Sequence, residues 1–325
     1  MNKQLTLSHI ADELAQTATS KRKFLKQLED SIPMAEWIGI IKPHYHKGER
    51  GNKPYDLERM LRIHIIQNCY NLSDMATMNE IIDSRAFSEF CGIDSSNQVP
   101  DGDTIGRFRA LMNEHGLQEK LFEQVIEQLT ERGLMLRKGT IVDSTIIASP
   151  PSTKNRERKR DPEASQAKKG SNWHFGYKAH IGVDKDTGLV HHFEVTGANV
   201  HDVTVVPELL SGIEETVNGD SGYLGAGKRD EAITTNDRGE RIRYCINRRP
   251  TQSKNRTKRS RSQIKRRERE KSSVRAKVEH VFRVVKVQFK FSKTRYKGLF
   301  KQTAKLAMMF TLANLYLAGK RCLST

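Results

Sequence analysis

Thr140-Ile141-Val142-Asp143-Ser144-Thr145-Ile146-Ile147 decides how the chain is read. β-branched residues fill this stretch, and they pack well on a pleated sheet while losing rotamer freedom in a helix. The segment is therefore expected to be a buried strand. Asp143 interrupts it, and a carboxylate inside an apolar strand is costly unless it is paired or bound to a cation. One strand with one misplaced charge is the point from which the rest is organised.

Downstream the strand pattern continues. Tyr177 to Val183 and Leu189 to Val195 read as a hairpin joined by Asp184-Lys185-Asp186-Thr187-Gly188. Val203 to Ile213 is expected to be helical, and Thr216 to Gly219 a short strand ending at Asp220. Ile242 to Ile246 reads as another strand, and a long helix is expected from about Ser272. Three antiparallel strands, then alternating helix and strand, then a helix, is the order an RNase H-like fold requires. The expected class is α/β, with a mixed-sheet catalytic domain over residues 137–325.

Upstream of Arg137 the pattern is helical, giving an all-α N-terminal domain over residues 1–136. Ser20 is placed as the cap of Lys21 to Ile32, and Tyr55 to Tyr70 carries Met60, Leu61, His64 and Ile65 at helical spacing. Ser73-Asp74 opens a short helix. Asp103-Thr104 is read as the cap of a helix bearing Ile105, Phe108 and Leu111, and Leu117 to Leu129 continues the series. The pattern alone fits a DNA-binding bundle and a dimerisation bundle equally.

Composition narrows the class. Among 325 residues there are 56 Lys+Arg and 39 Asp+Glu, a formal net charge of +17. The pI is near 9.7 and the mean hydropathy −0.66. The length suits about two domains. No stretch approaches the ~20 apolar residues that span a bilayer. The longest candidate, Leu306 to Ala318, carries Thr311 and Asn314 and is expected to be a buried helix. The opening Met1-Asn2-Lys3-Gln4 lacks the apolar run of a secretion signal. Cys69, Cys91, Cys245 and Cys322 form no C-x-x-C pair, so neither a zinc cage nor a disulfide framework is implied, and a reducing cytoplasm fits.

The positive charge is concentrated. Arg248 to Glu270 holds eleven Lys/Arg against two Glu in 23 positions and almost no apolar residue. It is expected to be a mobile basic arm that orders on a DNA backbone, with Arg256, Lys258, Arg259 and Arg261 as contacts. Lys154 to Lys169 is a weaker basic stretch. A solvated linker is the alternative for both.

Two further carboxylates can join Asp143. Asp220 lies where a strand gives way to a loop with Gly222, Gly225 and Gly227. At 100° per residue, Arg275, Glu279, Arg283, Lys286 and Lys290 share one helix stripe, beside an apolar stripe of Val274, Val278, Phe282, Val285 and Phe289. That geometry can bring Glu279 over Asp143 and Asp220 while Arg275, Arg283, Lys286 and Lys290 reach DNA. Three hard-oxygen ligands are what a two-Mg²⁺ phosphoryl-transfer site needs. The alternative is local satisfaction: Asp143 paired within its strand, Asp220 shaping a turn, Glu279 pairing with Arg275 and Arg283. His201-Asp202 is read as a helix cap, and His174, His180, His191 and His192 lack zinc-site spacing. Trp173 could stack on a base or anchor the hairpin. No glycine-rich phosphate loop is present, so a nucleotide cofactor is not expected.

The chain also resembles the bacterial insertion-sequence DDE transposases of the insertion-sequence-five type, over nearly its whole length. The resemblance rests on Met60-Leu61-Arg62-Ile63-His64, Tyr70-Asn71-Leu72-Ser73-Asp74, Pro100-Asp101 and Thr104-Ile105-x-x-Phe108-Arg109. It continues through Gly139 to Ile147, Trp173 to Asp184, Ala198-Asn199-x-His201-Asp202 and Gly219-Asp220-x-Gly222-Tyr223. It ends with Arg275-x-x-x-Glu279-His280-x-Phe282-Arg283 and Arg295-Tyr296-Lys297-Gly298-Leu299. It implies that Asp143, Asp220 and Glu279 form the acidic triad and hold two Mg²⁺, with Mn²⁺ able to substitute. It further implies cleavage and strand transfer of double-stranded DNA, a homodimer or higher synaptic complex, and a place on the nucleoid in the cytoplasm. The sequence departs from the family at Ser272, where Tyr is expected, and at Ser144 and Ser221, where Ala is usual. Two rivals are a nuclease of the same fold and a non-catalytic DNA-binding regulator.

Overall fold

The computed structural model describes residues 19–46, 48, 53–154, 156, 158–249 and 258–322. The chain begins with a series of short helices. They are α1 (Ser20–Ser31), α2 (Met34–Ile41), α3 (Leu57–Cys69), α4 (Asp74–Asp83), α5 (Arg85–Cys91), α6 (Gly102–Glu114) and α7 (Leu117–Glu131). Side chains that accept orphan N–H groups set several of their starts. Thr19, not Ser20, caps α1, accepting from Arg22 N at 3.3 Å. Ser73 caps α4 as expected. Asp101, not Asp103, caps α6, accepting from Thr104 N at 2.6 Å. Pro100 precedes Asp101, whose extended backbone suits the cap position.

A six-stranded mixed sheet follows: β1 (Gly139–Ala148), β2 (Ser165–Lys169), β3 (Asn172–Asp184), β4 (Val190–Gly197), β5 (Thr216–Gly219) and β6 (Arg243–Ile246). β1 is central, antiparallel to β3 and parallel to β5, and β5 is parallel to β6. The long β3 pairs first with β2 and then with β4 along the same edge. The change of partner falls at Gly176, where a Cβ would run into the Ile147 carbonyl. Antiparallel β4-β3-β1 joined to parallel β1-β5-β6 is the RNase H-like arrangement. Two helices complete it: α8 (Lys258–Arg283), which passes through a π-turn at Val284–Gln288, and α9 (Leu299–Cys322).

Alternation places Ile141 and Ile147 of β1, with Tyr177, Ala179, Ile181 and Val183 of β3, on the face of the main core. That core continues without a break into α1 to α7, α8 and α9, so sheet and helical region share one apolar interior. Val142 points the other way, into a smaller cluster with Val205, Val206, Leu209 and Tyr223. α9 is buried along Leu306–Ala313, as expected for an interior helix. No helix among the described residues is long and apolar enough to cross a membrane.

Three expectations from the sequence are corrected. Val203 to Ile213 is not an α-helix but two 3-10 turns, Asp202–Val205 and Pro207–Leu209. Pro207 lacks the N–H that an α-helix interior needs, and Gly212 leaves at φ +87°. The second half of the weak basic stretch is strand β2. The basic arm is helical from Lys258, with Arg256 outside the described residues and only the backbone of Lys258, Arg259 and Arg261 described. Lys, Arg, Gln and Glu are strong helix formers, so an apolar-poor segment can still be helical when it is anchored. Glu268 provides the anchor, accepting from Arg248 N at 2.9 Å and Asn247 Nδ2 at 3.0 Å.

Candidate active site

The parallel ladder between β1 and β5 pairs Thr140 with Val217 and Ile141 with Asn218. Asp143 and Asp220 each lie two residues beyond that last pair, so side-chain alternation puts them on the same face. β5 ends at Gly219, and Asp220 turns the chain by accepting from Gly222 N at 2.8 Å. The expected turn-forming role of Asp220 is therefore real and leaves its outer oxygen free of that bond. Asp143 Oδ1 accepts from Ser144 N at 2.8 Å.

α8 crosses the same face. Its Val278 and Val281 are fully buried against the sheet. Lysines pin the chain there by donating to backbone carbonyls: Lys271 to Ile246 O at 2.8 Å, Lys277 to Lys185 O at 2.7 Å and, from the π-turn, Lys286 to Ile146 O at 2.8 Å. Arg275 then reaches both acidic partners, donating from Nη1 to Asp143 Oδ2 at 3.2 Å and from Nη2 to Glu279 Oε1 at 3.4 Å. Glu279 thus stands over Asp143 with a guanidinium between them, and its own side chain is 63% exposed.

Burial pushes the Asp143 carboxyl up to about 6, and the charges of Asp220 and Asp202 add to that push. The Ser144 N–H and Arg275 pull against it. Asp143 is thus a carboxylate short of positive charge, which a divalent cation would supply. Among the described residues no three His, Cys, Asp or Glu side chains stand close enough to hold a metal ion as placed. Arg275 stands between Asp143 and Glu279 and bonds to both, and the Glu279 side chain is exposed. In kind, the carboxylate oxygens of Asp143, Asp220 and Glu279 are the donors that suit a hard divalent cation.

The family model described as Transposase DDE domain matches residues 135–315, more than half of the chain and all of the strands and helices that carry these acidic residues. The chain belongs to the DDE transposase family. A DDE transposase is a metal-dependent polynucleotidyl transferase. A second family model, described as Transposase domain (DUF772), matches residues 12–111, across the helical region. No solved structure matches the chain.

The other candidate residues of the transposase separate into several environments. The stripe Arg275, Glu279, Arg283, Lys286, Lys290 assumed one regular helix. The helix instead ends at Arg283, the π-turn shifts the phase, and Lys290 adopts φ +56° beyond it. Arg283 and Lys290 are exposed. Arg275 faces the acidic residues and Lys286 is half-buried, so neither presents a free cation. Asp202 does not cap a helix through its side chain: it accepts from Lys178 Nζ at 2.9 Å and lies 3.7 Å from His180 Nδ1. Burial lowers His180 to about 4, so it is a neutral core residue. Trp173 is 66% exposed on β3 opposite Lys168 of β2. Asp184, another buried carboxylate, is consumed by the backbone N–H groups of Leu136, Arg137, Asp186 and Thr187. The i,i+4 spacing offered the Arg275–Glu279 pair, but nothing in the sequence signalled the second contact from Arg275 to Asp143.

Proposed function

We propose that this transposase, of the insertion-sequence-five type, binds the terminal inverted repeats of its own element and catalyses Mg²⁺-dependent DNA cleavage and strand transfer. In this reading Asp143, Asp220 and Glu279 would hold two Mg²⁺ ions, with Mn²⁺ an effective replacement. Bound there, the ions stabilise charge on the attacking and leaving oxygens. The observation that carries the reading is the placement of Asp143 and Asp220 side by side on parallel strands beneath the helix that bears Glu279.

The chain's own residues account for the rest. The buried strand ends hold two carboxylates at fixed spacing, and α8 is pinned so that Glu279 can close over them. Arg275 balances the acidic residues until a cation takes its place. The cleavage step breaks the P–O3′ bond at the element end by attack of a water oxygen, leaving a 3′-hydroxyl. That hydroxyl then attacks a target phosphodiester in line, loses its proton and expels the target 3′-oxygen, so each step exchanges one phosphoester bond for another.

Residues 1–136 are proposed to hold the element ends and residues 137–325 to cut and join them. Double-stranded DNA is the partner, met by the exposed cations of α8 with Arg283 and Lys290, and by Arg256, Lys258, Arg259 and Arg261. Two ends must be cut together, so a homodimer or larger synaptic complex is the working form. The test is nicking of a labelled element end with Mg²⁺ and with EDTA. Nicking at the repeat boundary is expected with Mg²⁺ alone, abolished in Asp143→Asn and Glu279→Gln while DNA binding persists. Full nicking by either variant would sink the assignment.

A further inference from the structure

Beyond Asp220 the chain folds back sharply. The Asp220 cap on Gly222 N closes the turn Ser221–Tyr223 and lays the Tyr223 ring against Gly219, where a Cβ would stand only 3.1 Å from it. The ring fills the smaller core with Val142, Val205 and Val206 and is 1% exposed. Its hydroxyl, equally buried, has no hydrogen-bond partner. A buried hydroxyl left unpaired is costly, and native interiors rarely tolerate one without a reason.

The surroundings of that hydroxyl are specific. The charged groups acting on it are Asp143 first, then Asp202 and Asp220, with Ser144 alongside but outside hydrogen-bond geometry. Burial and those carboxylates keep the phenol protonated, so it can only donate among acceptors. Asp202 is engaged by Lys178 and one Asp220 oxygen by Gly222 N–H, while Asp143 accepts from Ser144 N–H on one oxygen and from Arg275 on its outer oxygen. That oxygen loses its donor whenever Arg275 gives way.

We infer that Tyr223 is a positioning residue for the acidic site, its hydroxyl donating to the Asp143 carboxylate, directly or through one water, when a divalent cation replaces Arg275 there. The inference rests on the proposed role of Asp143 as a cation ligand. It explains why a tyrosine with an unpaired hydroxyl is folded beneath the strand ends: the partner forms in the metal-bound arrangement. Groups that orient metal ligands from behind typically change metal affinity about 10–100-fold when removed.

The full-length protein is titrated with Mn²⁺, following free Mn²⁺ by electron paramagnetic resonance, and its melting temperature is measured without divalent ions. Wild type, Tyr223→Phe and Asp143→Asn are compared. Tyr223→Phe is expected to melt no lower than wild type without metal, since it removes only an unpartnered hydroxyl, and to bind Mn²⁺ about 10-fold or more weakly. Unchanged Mn²⁺ affinity in Tyr223→Phe, with weakened binding in Asp143→Asn, would overturn the role of Tyr223 alone. Unchanged affinity in both variants would overturn the carboxylate assignment and this inference with it. A lower metal-free melting temperature for Tyr223→Phe, or failure to fold, would show that the hydroxyl is already partnered and would equally overturn the inference.

Discussion

Asp143 is the residue on which stability and chemistry pull in opposite directions. Burial, followed by the charges of Asp220 and Asp202, raises its carboxyl from 3.8 to about 6 despite Ser144 N–H and Arg275. Below about pH 4 it is protonated whether the chain is folded or not, and its contribution to stability is fully present. As pH rises toward 6 the unfolded chain ionises first, so that contribution disappears, on the order of 2–3 kcal/mol by pH 7. Asp143→Asn should therefore melt higher than wild type at about pH 7–8 without divalent ions, with the difference vanishing near pH 4. A variant that melts lower at the alkaline end would mean the Arg275 pair outweighs burial. Asp143 stood out in the sequence because a charge in a β-branched run is conspicuous. The partners that set its charge state did not, since they lie up to 132 positions away along the chain.

At the scale of elements, α8 and α9 show what periodicity misses. The apolar stripe was readable, and Val278 of α8 and Val285 of the π-turn are buried as expected. The cationic stripe was not, because the π-turn changes the phase and Lys286 spends its ammonium on Ile146 O. Lys286→Met should cost about 1.5–3 kcal/mol in urea unfolding while leaving the salt dependence of DNA binding unchanged. A flatter salt slope would return Lys286 to the DNA contacts. In α9, Asn314 looked like a polar interruption. Its amide in fact donates to Val190 O at 2.7 Å and accepts from Val190 N at 2.9 Å, completing the start of β4. Asn314→Leu should cost about 2–4 kcal/mol, since two buried backbone groups are left without their partners. Equal urea midpoints would show that they find others.

For the whole molecule, a polar junction ties the helical region to the segment that leaves the Glu279 helix. Asp74 accepts from Arg109 at 3.0 and 2.7 Å and from Gln67 at 2.8 Å, and Arg109 lies over the Tyr296 ring. Arg295 donates twice to Asn71 O, and Asn71 Nδ2 donates to Lys290 O at 3.0 Å. Stretches that stood apart in the sequence, around 71–74, 109 and 295–296, thus meet in one place. The strong positive charge acts at this scale too. Replacing the exposed Lys265, Arg266 and Arg269 by Ala should flatten the slope of log K against log salt for DNA binding by about 2–3, roughly 0.9 for each phosphate no longer neutralised. An unchanged slope would place the DNA on another face.

Elements that rest on local physics could be read from the chain alone. The strand holding Asp143, the hairpin after it, five of the helices between residues 20 and 131 (all but Met34–Ile41 and Arg85–Cys91) and the buried C-terminal helix follow from side-chain periodicity, β-branching and the exclusion of charge from apolar runs. What lies between elements was settled by the folded arrangement. It turned an expected mobile arm into the first half of α8, because helix propensity is realised once Glu268 is anchored. It reduced an expected helix to two 3-10 turns, because Pro207 breaks the hydrogen-bond ladder. It set Arg275 between Asp143 and Glu279 and left the Tyr223 hydroxyl unpaired beneath them. Such contacts join residues far apart along the chain, and their free energy arises from burial and pairing that no local window of sequence contains.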